Sequence, residues 1–511
     1  MGFNKYVLLA LPLAIAPTVV AYGAEQIGKQ PPAGAVVDGE GAAKSSRQPP
    51  PAKATSEEAG LCDQYGPEFI AIPRMDTCIH VGGLVRINSQ YVPGRDVYNV
   101  ATGKVSQRAN AQDTTGLSVR AHLILDARTD TGWGALQSFI NVRTTVGDGL
   151  RNFTSPSSEF ATSISPGGNS ATTSVILERA FVKFGGLTAG VGNDNFSTIP
   201  PYMFGPVIGE LFGTGVKQIA YTHNFGGGFS GTVALESKGD FAGNTVIPGN
   251  SLPLGPSVVP YATSVQYNNQ LDSSAALIGN LRNDADWGFL QSSFGFAKNA
   301  VNAQTLTSAY DPLVGPTSAL GWGAGVSGRY LMPFVAPGDE FRFQLSFTRG
   351  IMGLVAGLGS LNDYNDPMMK RGIGGIITVP QNMIPTTVTA NGTVTSISES
   401  SAYSATVMYT HYWSKEWRSN ADVGYMQVIM PKAYSNGSGA GLNTQEGNAH
   451  LLVAGANLIW APSRLWDIGV EVDYLRLAQS IQNPDAAFVA AGMPGLKGDV
   501  WSVAARLQRR F

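Results

Sequence analysis

From Cys78 to Phe511, apolar and polar residues alternate along many short segments, and this pattern constrains the fold more than any other feature of the chain. Residues 340–350, EFRFQLSFTRG, carry large apolar side chains at every second position and polar residues between them. Successive side chains of a strand point to opposite sides of its sheet, so a period of two indicates strands with one apolar face. Similar alternation occurs at 79–90, 117–128 and 466–474. The sequence therefore predicts an all-β domain.

Two all-β architectures fit such a chain. A soluble sandwich buries its apolar faces between two sheets, whereas a transmembrane barrel turns them to lipid and lines a watery lumen with polar residues. Here the apolar faces are long, and no helical segment among the repeats could cover them. Aromatic residues also lie near strand boundaries, as in the interfacial girdles of membrane barrels. They are Tyr91, Trp133, Trp287, Tyr330, Trp413, Trp417, Trp460, Trp466 and Tyr474. These features favour a transmembrane antiparallel β-barrel.

Short polar turns alternate with long loops rich in Gly, Ser, Thr and Asn, which is typical of outer-membrane barrels. Dividing the region among sixteen strands leaves roughly 27 residues for each strand with its connection, whereas about 9–11 suffice to cross the membrane. A barrel of that size encloses an aqueous channel. The predicted short turns include 225–228, 283–288, 336–340, 414–417 and 461–466. The predicted long loops are 92–116, 146–171, 237–274, 300–320, 351–400, 431–447 and 478–498.

The N-terminal region predicts export. Lys5 precedes an apolar run from Tyr6 to Ala21 that Pro12 and Pro17 interrupt, so we interpret residues 1–23 as a cleaved signal peptide. The alternative is an uncleaved N-terminal helix. Residues 24–61 are rich in Pro, Ala, Gly and charge and contain no aromatic residue, which predicts a flexible periplasmic linker. The barrel domain is then 62–511.

Charge narrows the class of protein further. Charged residues make up 14% of the chain, against about 25% in a typical soluble protein. The formal net charge of −2 gives no indication of nucleic-acid binding, which requires a basic face. An exported, weakly charged chain with 62 glycines suits either a secreted all-β protein or an outer-membrane barrel.

The chain has two cysteines, Cys62 and Cys78, and two cysteines of an exported protein usually pair. Closing a loop of this length stabilises a fold by about 3 kcal/mol in the chain-entropy model. A metal site or a cysteine nucleophile is the weaker reading, because the spacing is not CxxC and the five histidines are scattered singly. We expect a structural disulfide, with no metal and no cofactor.

Several segments together resemble the alphaproteobacterial general porins. They are YGPEFIAIPRMDTCIHVGGLVRIN, LERAFVKFGGLTAGVGNDNF, IGNLRNDADWG, MPFVAPGDEFRFQLSFTRG and the final WSVAARLQRRF. The resemblance covers nearly all of the chain from Cys62 onward. It implies a sixteen-stranded barrel, a homotrimer in outer-membrane lipid, and passive diffusion of ions and small hydrophilic solutes. It also implies that Phe511 is an aromatic signal for the barrel-assembly machinery.

The same resemblance implies a third loop that folds into the lumen and narrows it. We place this loop at residues 197–215, where Pro200, Pro201 and Pro206 would stiffen it and its apolar residues would pack against protein. Acids of such a loop face arginines of the wall, and the opposed charges select solutes by charge and dipole. The expected acids are Asp194 and Glu210, with Asp126 and then Glu178 as further candidates.

Alternation supplies the basic side of this expected constriction. Arg86, Arg120, Arg128 and Arg143 fall on the polar faces of the first three strands. Arg179 and Lys183 rank lower because the alternation is ambiguous over 172–184. Each of these cations could instead lie elsewhere in the lumen, or extend to the rim of the membrane.

Other functions compete with general diffusion. An outer-membrane enzyme is disfavoured because the chain has no GxSxG elbow and no Ser/His/Asp grouping in a characteristic context. An energy-coupled transporter needs a folded plug, which residues 24–61 cannot supply. A secreted adhesin is another alternative. Partition into detergent extracts of the outer membrane would distinguish a membrane barrel from such a protein. A substrate-specific channel, for a sugar or an anion, remains the alternative.

Overall fold

A computed structural model describes most of the predicted barrel domain and none of residues 1–61, so the predicted signal peptide and linker lie outside the described residues. The described residues are 62–72, 75–93, 97–99, 104–106, 115–149, 172–205, 207–208, 215–237, 266–267, 275–300, 303–304, 318–356, 383–388, 394–431, 445–482 and 495–511. No helix within these ranges has the length and apolar content needed to cross a membrane.

Sixteen strands form the wall of the structure, and they are numbered here in chain order. They are β1 (Thr77–Tyr91), β2 (Thr115–Thr131), β3 (Gly134–Gly149), β4 (Thr172–Phe184), β5 (Leu187–Gly192), β6 (Val216–Gly226), β7 (Phe229–Ser237), β8 (Ala275–Ala285), β9 (Gly288–Ala300), β10 (Ser318–Leu331), β11 (Glu340–Arg349), β12 (Ser401–Tyr412), β13 (Trp417–Ile429), β14 (Gln445–Trp460), β15 (Trp466–Gln482) and β16 (Gly495–Arg510). Short two-stranded pieces outside the wall pair Val97–Asn99 with Lys104–Ser106, Gln266–Tyr267 with Ala303–Gln304, and Met383–Val388 with Val394–Glu399.

The wall closes on itself. Each strand pairs antiparallel with its neighbours in sequence. β16 returns to pair with β1, from Leu84 opposite Arg510 to Tyr91 opposite Val503. The predicted sixteen-stranded antiparallel barrel is therefore confirmed. Closure removes the two free edges of an open sheet, whose backbone groups lipid could not satisfy.

The connections alternate in length, as the sequence predicts. Turns of a few residues join β2 to β3, β4 to β5, β6 to β7, β8 to β9, β10 to β11, β12 to β13 and β14 to β15, and the other connections are long. The turn at Gly185 and Gly186 was not among the sequence predictions. Its two glycines have φ values of 55° and 88°, which ordinary residues rarely adopt. All the short turns lie at one end of the barrel, which is the periplasmic end in outer-membrane proteins.

The strand faces follow the predicted alternation. On β1, Val85 and Ile87 point outward and are about two-fifths exposed, whereas Arg86 and Asn88 point inward and are buried. The outer face is thus the apolar one, as a lipid-facing wall requires. Aromatic residues stand at its edges, including Trp417 and Trp460, whose rings stack at 6.1 Å between centroids.

The first strand, β1, begins at Thr77, whereas its pairing with β16 begins only at Leu84. Beyond the final bonds between Gly83 and Phe511, the short strand Ile70–Ala71 takes over and pairs with Cys78 and Ile79. The predicted disulfide is confirmed, because Cys62 and Cys78 are bonded and their Cα atoms are 5.6 Å apart. The disulfide thus fastens the segment that continues the seam between β16 and β1.

Candidate pore lining

A segment after β5 runs along the inner face of the barrel; we call its described residues, 193–205 and 207–208, the infolded segment. At its start, Asn280 Nδ2 of β8 donates to the Asn195 carbonyl at 2.7 Å. Ser293 Oγ of β9 then donates to the Phe196 carbonyl at 2.8 Å. Both wall residues are inward-facing, so the segment begins inside the wall at β8 and β9.

The segment continues across the inner faces of the later strands. Ser197 Oγ donates to Gln344 Oε1 of β11 at 3.0 Å, and Thr406 Oγ1 of β12 donates to the Ile208 carbonyl at 2.6 Å. The backbone N–H groups of Phe204 and Gly205 donate to Glu471 Oε1 of β15. The infolded segment therefore lies on the β8–β15 part of the wall, as the sequence leads one to expect of a lumen loop.

Asp194 opens the infolded segment. Its Oδ1 accepts the backbone N–H groups of Phe196 at 2.9 Å and Ser197 at 2.6 Å. Burial raises the pKa of Asp194 to about 6, and the hydrogen bonds from these N–H groups oppose that rise without cancelling it. The carboxylate predicted to face the pore is thus engaged in holding the loop backbone. Glu210, the other predicted loop acid, lies outside the described residues.

A second element enters the lumen from the long connection after β11, and no sequence feature predicted it. A one-turn helix, α1 (Gly353–Ala356), follows the inward hydrogen bond from Thr348 Oγ1 to the Ile351 carbonyl at 2.8 Å. Ile351 and Leu354 join a buried apolar cluster with Phe196 of the infolded segment and Ile278 of β8. Apolar packing therefore fills part of the lumen near β6–β9.

A second apolar cluster fills the lumen near β12–β16. Met352 and Val355 of the α1 region and Ile208 of the infolded segment pack there against inward side chains of the wall. The wall members are Ala402, Met426, Val428, Ala449, Leu451, Val453, Leu475, Leu477 and Val500. Neither cluster includes a residue of β1–β4, and the inner wall along these strands is lined mainly by polar side chains.

The predicted arginines occupy that polar wall. Arg86 of β1 is paired in register with Arg120 of β2, and the Arg86 Nε donates to Gln508 Oε1 of β16 at 2.7 Å. Arg143 of β3 is paired in register with His122 of β2. Arg86, Arg120 and Arg143 are 5%, 7% and 2% exposed. Burial therefore holds their guanidinium groups in fixed positions, and they do not move freely in the lumen.

Glu178 is the acid that contacts Arg143 and His122. Its Oε1 lies 3.2 Å from Arg143 Nη1, and its Oε2 lies 3.0 Å from His122 Nδ1. Asn141 Nδ2 donates to the same Oε2 at 2.9 Å. Glu178 ranked lowest among the predicted acids, because simple alternation places it among apolar neighbours.

A β-bulge explains that error. Asn141 of β3 opposes Arg179, whereas the next residue, Val142, opposes Leu177, so Glu178 is the extra residue of β4. Val175 and Leu177 point outward before the bulge, and Val182 and Phe184 point outward after it. The bulge thus reverses the alternation between 177 and 182, so Glu178 faces the lumen although Val182 and Phe184, an even number of residues further on, face outward. Arg179 at the bulge and Lys183 beyond it are half-buried.

Arg128 and Asp126 form a separate group nearer the short turns. The Arg128 Nη2 lies 2.7 Å from Asp126 Oδ2, and the guanidinium stacks on Tyr65 and Phe69, at 5.4 and 4.8 Å from their ring centroids. At about 3.3 Å per residue, Arg128 lies about 26 Å along β2 from Arg120. The structure therefore does not bring the Arg128–Asp126 pair together with the Arg86, Arg120 and Arg143 group.

Sequence reasoning also missed an acidic group under the infolded segment. Glu471 and Asp473 of β15 and Asp422 of β13 are each 3% exposed or less and face inward. Asn457 Nδ2 donates to Glu471 Oε2 at 2.8 Å, and Ser502 Oγ donates to Asp473 Oδ2 at 3.1 Å. These acids lie on ordinary alternating positions, but only the path of the loop above them distinguishes them from other lumen residues.

Phe511, the predicted assembly signal, is held by β1. Its backbone N–H donates to the Gly83 carbonyl and its carbonyl accepts from the Gly83 N–H, both at 3.0 Å. A Cβ on Gly83 would lie 2.3 Å from the backbone carbonyl oxygen of His122 and 2.7 Å from the Phe511 ring, so a glycine is needed at that contact. The role of Phe511 in barrel assembly stays a prediction.

Two porins of Brucella are similar to part of this chain. Porin Omp2b of Brucella canis is 28% identical over 211 residues, which is 41% of this chain and 52% of that protein. Porin Omp2a of Brucella ovis is 25% identical over 215 residues, 42% of this chain and 59% of that protein. The chain thus spans about half the length of the curated relatives that it matches.

Among solved structures, the outer-membrane channel DcaP of Acinetobacter baumannii aligns with 85% of this chain and 97% of its own, at 17% identity and a TM-score of 0.48. A family model described as a porin subfamily, Porin_2, matches residues 53–499. That match takes in most of the chain, including fifteen complete strands of the barrel described above. The chain therefore belongs to the Porin_2 porin subfamily.

Proposed function

We propose that the chain forms a water-filled channel in the bacterial outer membrane, through which ions and small hydrophilic solutes diffuse passively. The observation that carries this proposal is the arrangement of the lumen. A closed barrel with an apolar outside has apolar clusters filling part of the lumen beside β6–β9 and β12–β16, and buried arginines on β1–β3. Water and solutes would pass between the infolded segment and the arginine wall.

The charges of that wall supply selectivity. Arg86, Arg120 and Arg143 are buried, and hydrogen bonds hold Arg86 to Gln508 and Arg143 to Glu178, so these side chains need not reorganise when an ion passes. Fixed charges at the edge of a narrow aqueous path shape its potential and select by charge. Glu178 partly compensates the arginines. Asp194 and Glu210 of the loop remain proposed acids of the opposite side, and Arg128, Asp126, Arg179 and Lys183 remain proposed contributors to the field.

The assembly is proposed on the same basis. An outward apolar wall fits outer-membrane lipid, and we expect three copies to associate as a homotrimer after insertion by the barrel-assembly machinery. Chemical cross-linking of the protein in detergent, followed by denaturing electrophoresis, should give a ladder that ends at the trimer. A ladder that ends at the monomer would exclude the trimer without affecting the channel.

Liposome swelling tests the channel itself. Vesicles that contain the purified protein should swell in small neutral sugars at rates that fall steeply with sugar size, because apolar packing restricts the lumen. Protein-free vesicles are the control. No swelling with the smallest sugar, together with no conductance in a planar bilayer, would overturn the proposed function.

A substrate-specific channel is the second candidate, and the α1 region favours it. Two loop elements inside one lumen leave less space than one, which favours a passage fitted to a particular solute class. Block of the ion current by one solute class at millimolar concentration, but not by others, would favour this candidate over general diffusion.

A further inference from the structure

Three arginines converge on one aromatic ring at the short-turn end of the lumen, away from the arginines already described. The Phe289 ring of β9 has the guanidinium carbon of Arg282 3.8 Å from its centroid, that of Arg329 at 5.5 Å and that of Arg342 at 6.0 Å. We call these four residues the Phe289 cluster. Guanidinium groups stack favourably on aromatic faces, which helps to hold like charges together.

Strand register accounts for the convergence. Phe289 is directly opposite Arg329 of β10, and Arg329 is directly opposite Arg342 of β11. Their neighbours Leu290 and Tyr330 are among the exposed, outward-facing residues, so the cluster faces the lumen. All of its members lie within four residues of a short turn. The cluster thus borders the periplasmic mouth of the proposed channel.

Two carboxylates occupy two of the three arginines. Asp284 accepts both Nε and Nη2 of Arg282 at 2.8 Å. Glu340 accepts a hydrogen bond from Arg342 Nε at 2.7 Å, whereas its Oε2 lies 4.0 Å from Arg329 Nη1. Three cations and two anions leave a local charge of +1. The Arg329 side chain is 34% exposed, so its fork is the one that a solute can reach.

The cluster also touches the infolded segment. The Arg342 Nη2 donates to the Tyr202 hydroxyl at 3.1 Å, and the Arg342 guanidinium carbon lies 5.3 Å from the centre of the Tyr202 ring. A solute that passes the infolded segment therefore meets the Phe289 cluster next. In contrast to the buried Arg86, Arg120 and Arg143, Arg329 can make direct contact.

We propose that Arg329, supported by Arg282 and Arg342 around Phe289, is a binding subsite for small organic anions that carry a carboxylate or a phosphate. The inference rests on the proposed channel function. A guanidinium presents two parallel N–H donors that match either oxyanion, whereas a chloride ion uses only the charge. The excess positive charge disfavours cations at the same place.

Single-channel current in potassium chloride tests the subsite, with succinate or inorganic phosphate added to one side at a time. Both anions should reduce the current in a concentration-dependent way, and more effectively from the periplasmic side, because the cluster borders that mouth. The two probes distinguish carboxylate from phosphate as the preferred group. Arg329→Gln should raise the half-blocking concentration about tenfold, which is the effect expected for losing one charge-assisted hydrogen bond.

Matched variants separate a specific subsite from a general charge effect. Arg464→Gln removes the same charge from an exposed turn at the same end of the barrel and should leave the block unchanged. Arg329→Lys keeps the charge without the fork and should give an intermediate half-blocking concentration. Equal block in Arg329→Gln and the unaltered protein, or equal block by neutral glucose, would overturn the subsite. Absence of any channel current would instead overturn the proposed function.

Discussion

Glu178 is the residue on which the polar wall of β2–β4 depends. It is 8% exposed and contacts His122, Asn141 and Arg143 at once. A buried charge that loses its partner is costly, because water cannot replace the lost interactions. The acid therefore holds Arg143 and His122 in place and reduces the net charge of this part of the wall.

Replacing Glu178 by Gln should weaken this arrangement. The variant keeps the shape but removes the negative charge next to Arg143, so we expect the free energy of unfolding to fall by about 1–3 kcal/mol. Urea-dependent unfolding in lipid vesicles measures this change. Glu68→Gln is the control, because the Glu68 side chain is 79% exposed. Equal losses in the two variants would show that Glu178 has no special structural role.

Asp339 provides a pH-dependent contribution at the turn before β11. Its Oδ2 lies 2.6 Å from the Tyr409 hydroxyl and 2.7 Å from His411 Nδ1, and its Oδ1 accepts the Tyr412 N–H at 2.8 Å. Burial raises the pKa of Asp339, but these hydrogen bonds outweigh burial and leave the pKa below its ordinary value of 3.8. A lowered pKa stabilises the fold above the ordinary pKa, and this contribution is lost as the pH falls through the lowered value.

Asp339→Asn should therefore lower the thermal unfolding midpoint at pH 7. The difference from the unaltered protein should shrink as the pH falls below 3.8, because the carboxyl of the unaltered protein then becomes protonated as well. Heat-dependent electrophoretic mobility across this pH range measures both midpoints. A difference that stays constant down to the lowest pH would contradict the assignment.

At the scale of elements, the seam between β1 and β16 has its own support. Ile70 and Ala71 continue the pairing of β1 where β16 no longer covers it, and the Cys62–Cys78 bond fastens them. The two cysteines of the disulfide are sixteen positions apart in the sequence. The disulfide restricts the unfolded chain as well as holding the seam.

Reduction of the Cys62–Cys78 disulfide should destabilise the barrel, but the barrel should still fold. Cys62→Ser combined with Cys78→Ser is expected to lower the free energy of unfolding by about 3 kcal/mol, the value for a loop of this length. Unfolding of the double variant in urea should match that of the reduced protein. If oxidised and double-variant proteins unfold alike, the bond does not stabilise the fold.

The infolded segment should control conductance. Deleting Ile199 to Gly213 removes the residues that contact β11, β12 and β15, so the open lumen widens and single-channel conductance should rise. A deletion within 237–274, another long connection, is the matched control. Unchanged conductance after the first deletion would mean that the segment does not limit the current.

The strands of the barrel could be predicted from the sequence because lipid on one side and water on the other require apolar and polar residues to alternate along each strand. Arg86, Arg120 and Arg143 were assigned to the lumen from that alternation alone. It failed at β4, where one extra residue reverses the faces around Glu178. A bulge leaves no mark in apolar alternation apart from an apparent conflict, so the pattern cannot say which residue is the extra one.

The filling of the lumen could not be predicted in the same way. The infolded segment was found because of its family resemblance and its apolar content, whereas the α1 region lies in a long connection without any periodic signal. Its contacts with Phe196 and Ile208 join residues more than a hundred positions apart. The Phe289 cluster likewise combines the ends of four strands, and only the register of the closed sheet brings them together.

For the whole molecule, we propose an aqueous path along β1–β4, beside the apolar packing on β6–β9 and β12–β16. The path then carries fixed positive charge on one side. Removing that charge should change which ions pass without destroying the channel, because the barrel closes through backbone pairing that these side chains do not make.

The reversal potential in a salt gradient across a planar bilayer tests this claim most directly. The triple variant Arg86→Ala, Arg120→Ala and Arg143→Ala should form channels whose reversal potential shifts toward cation preference relative to the unaltered protein. The exposed turn variant Arg464→Ala should show no shift. A triple variant that conducts with the reversal potential of the unaltered protein would contradict an ion path along the arginine wall.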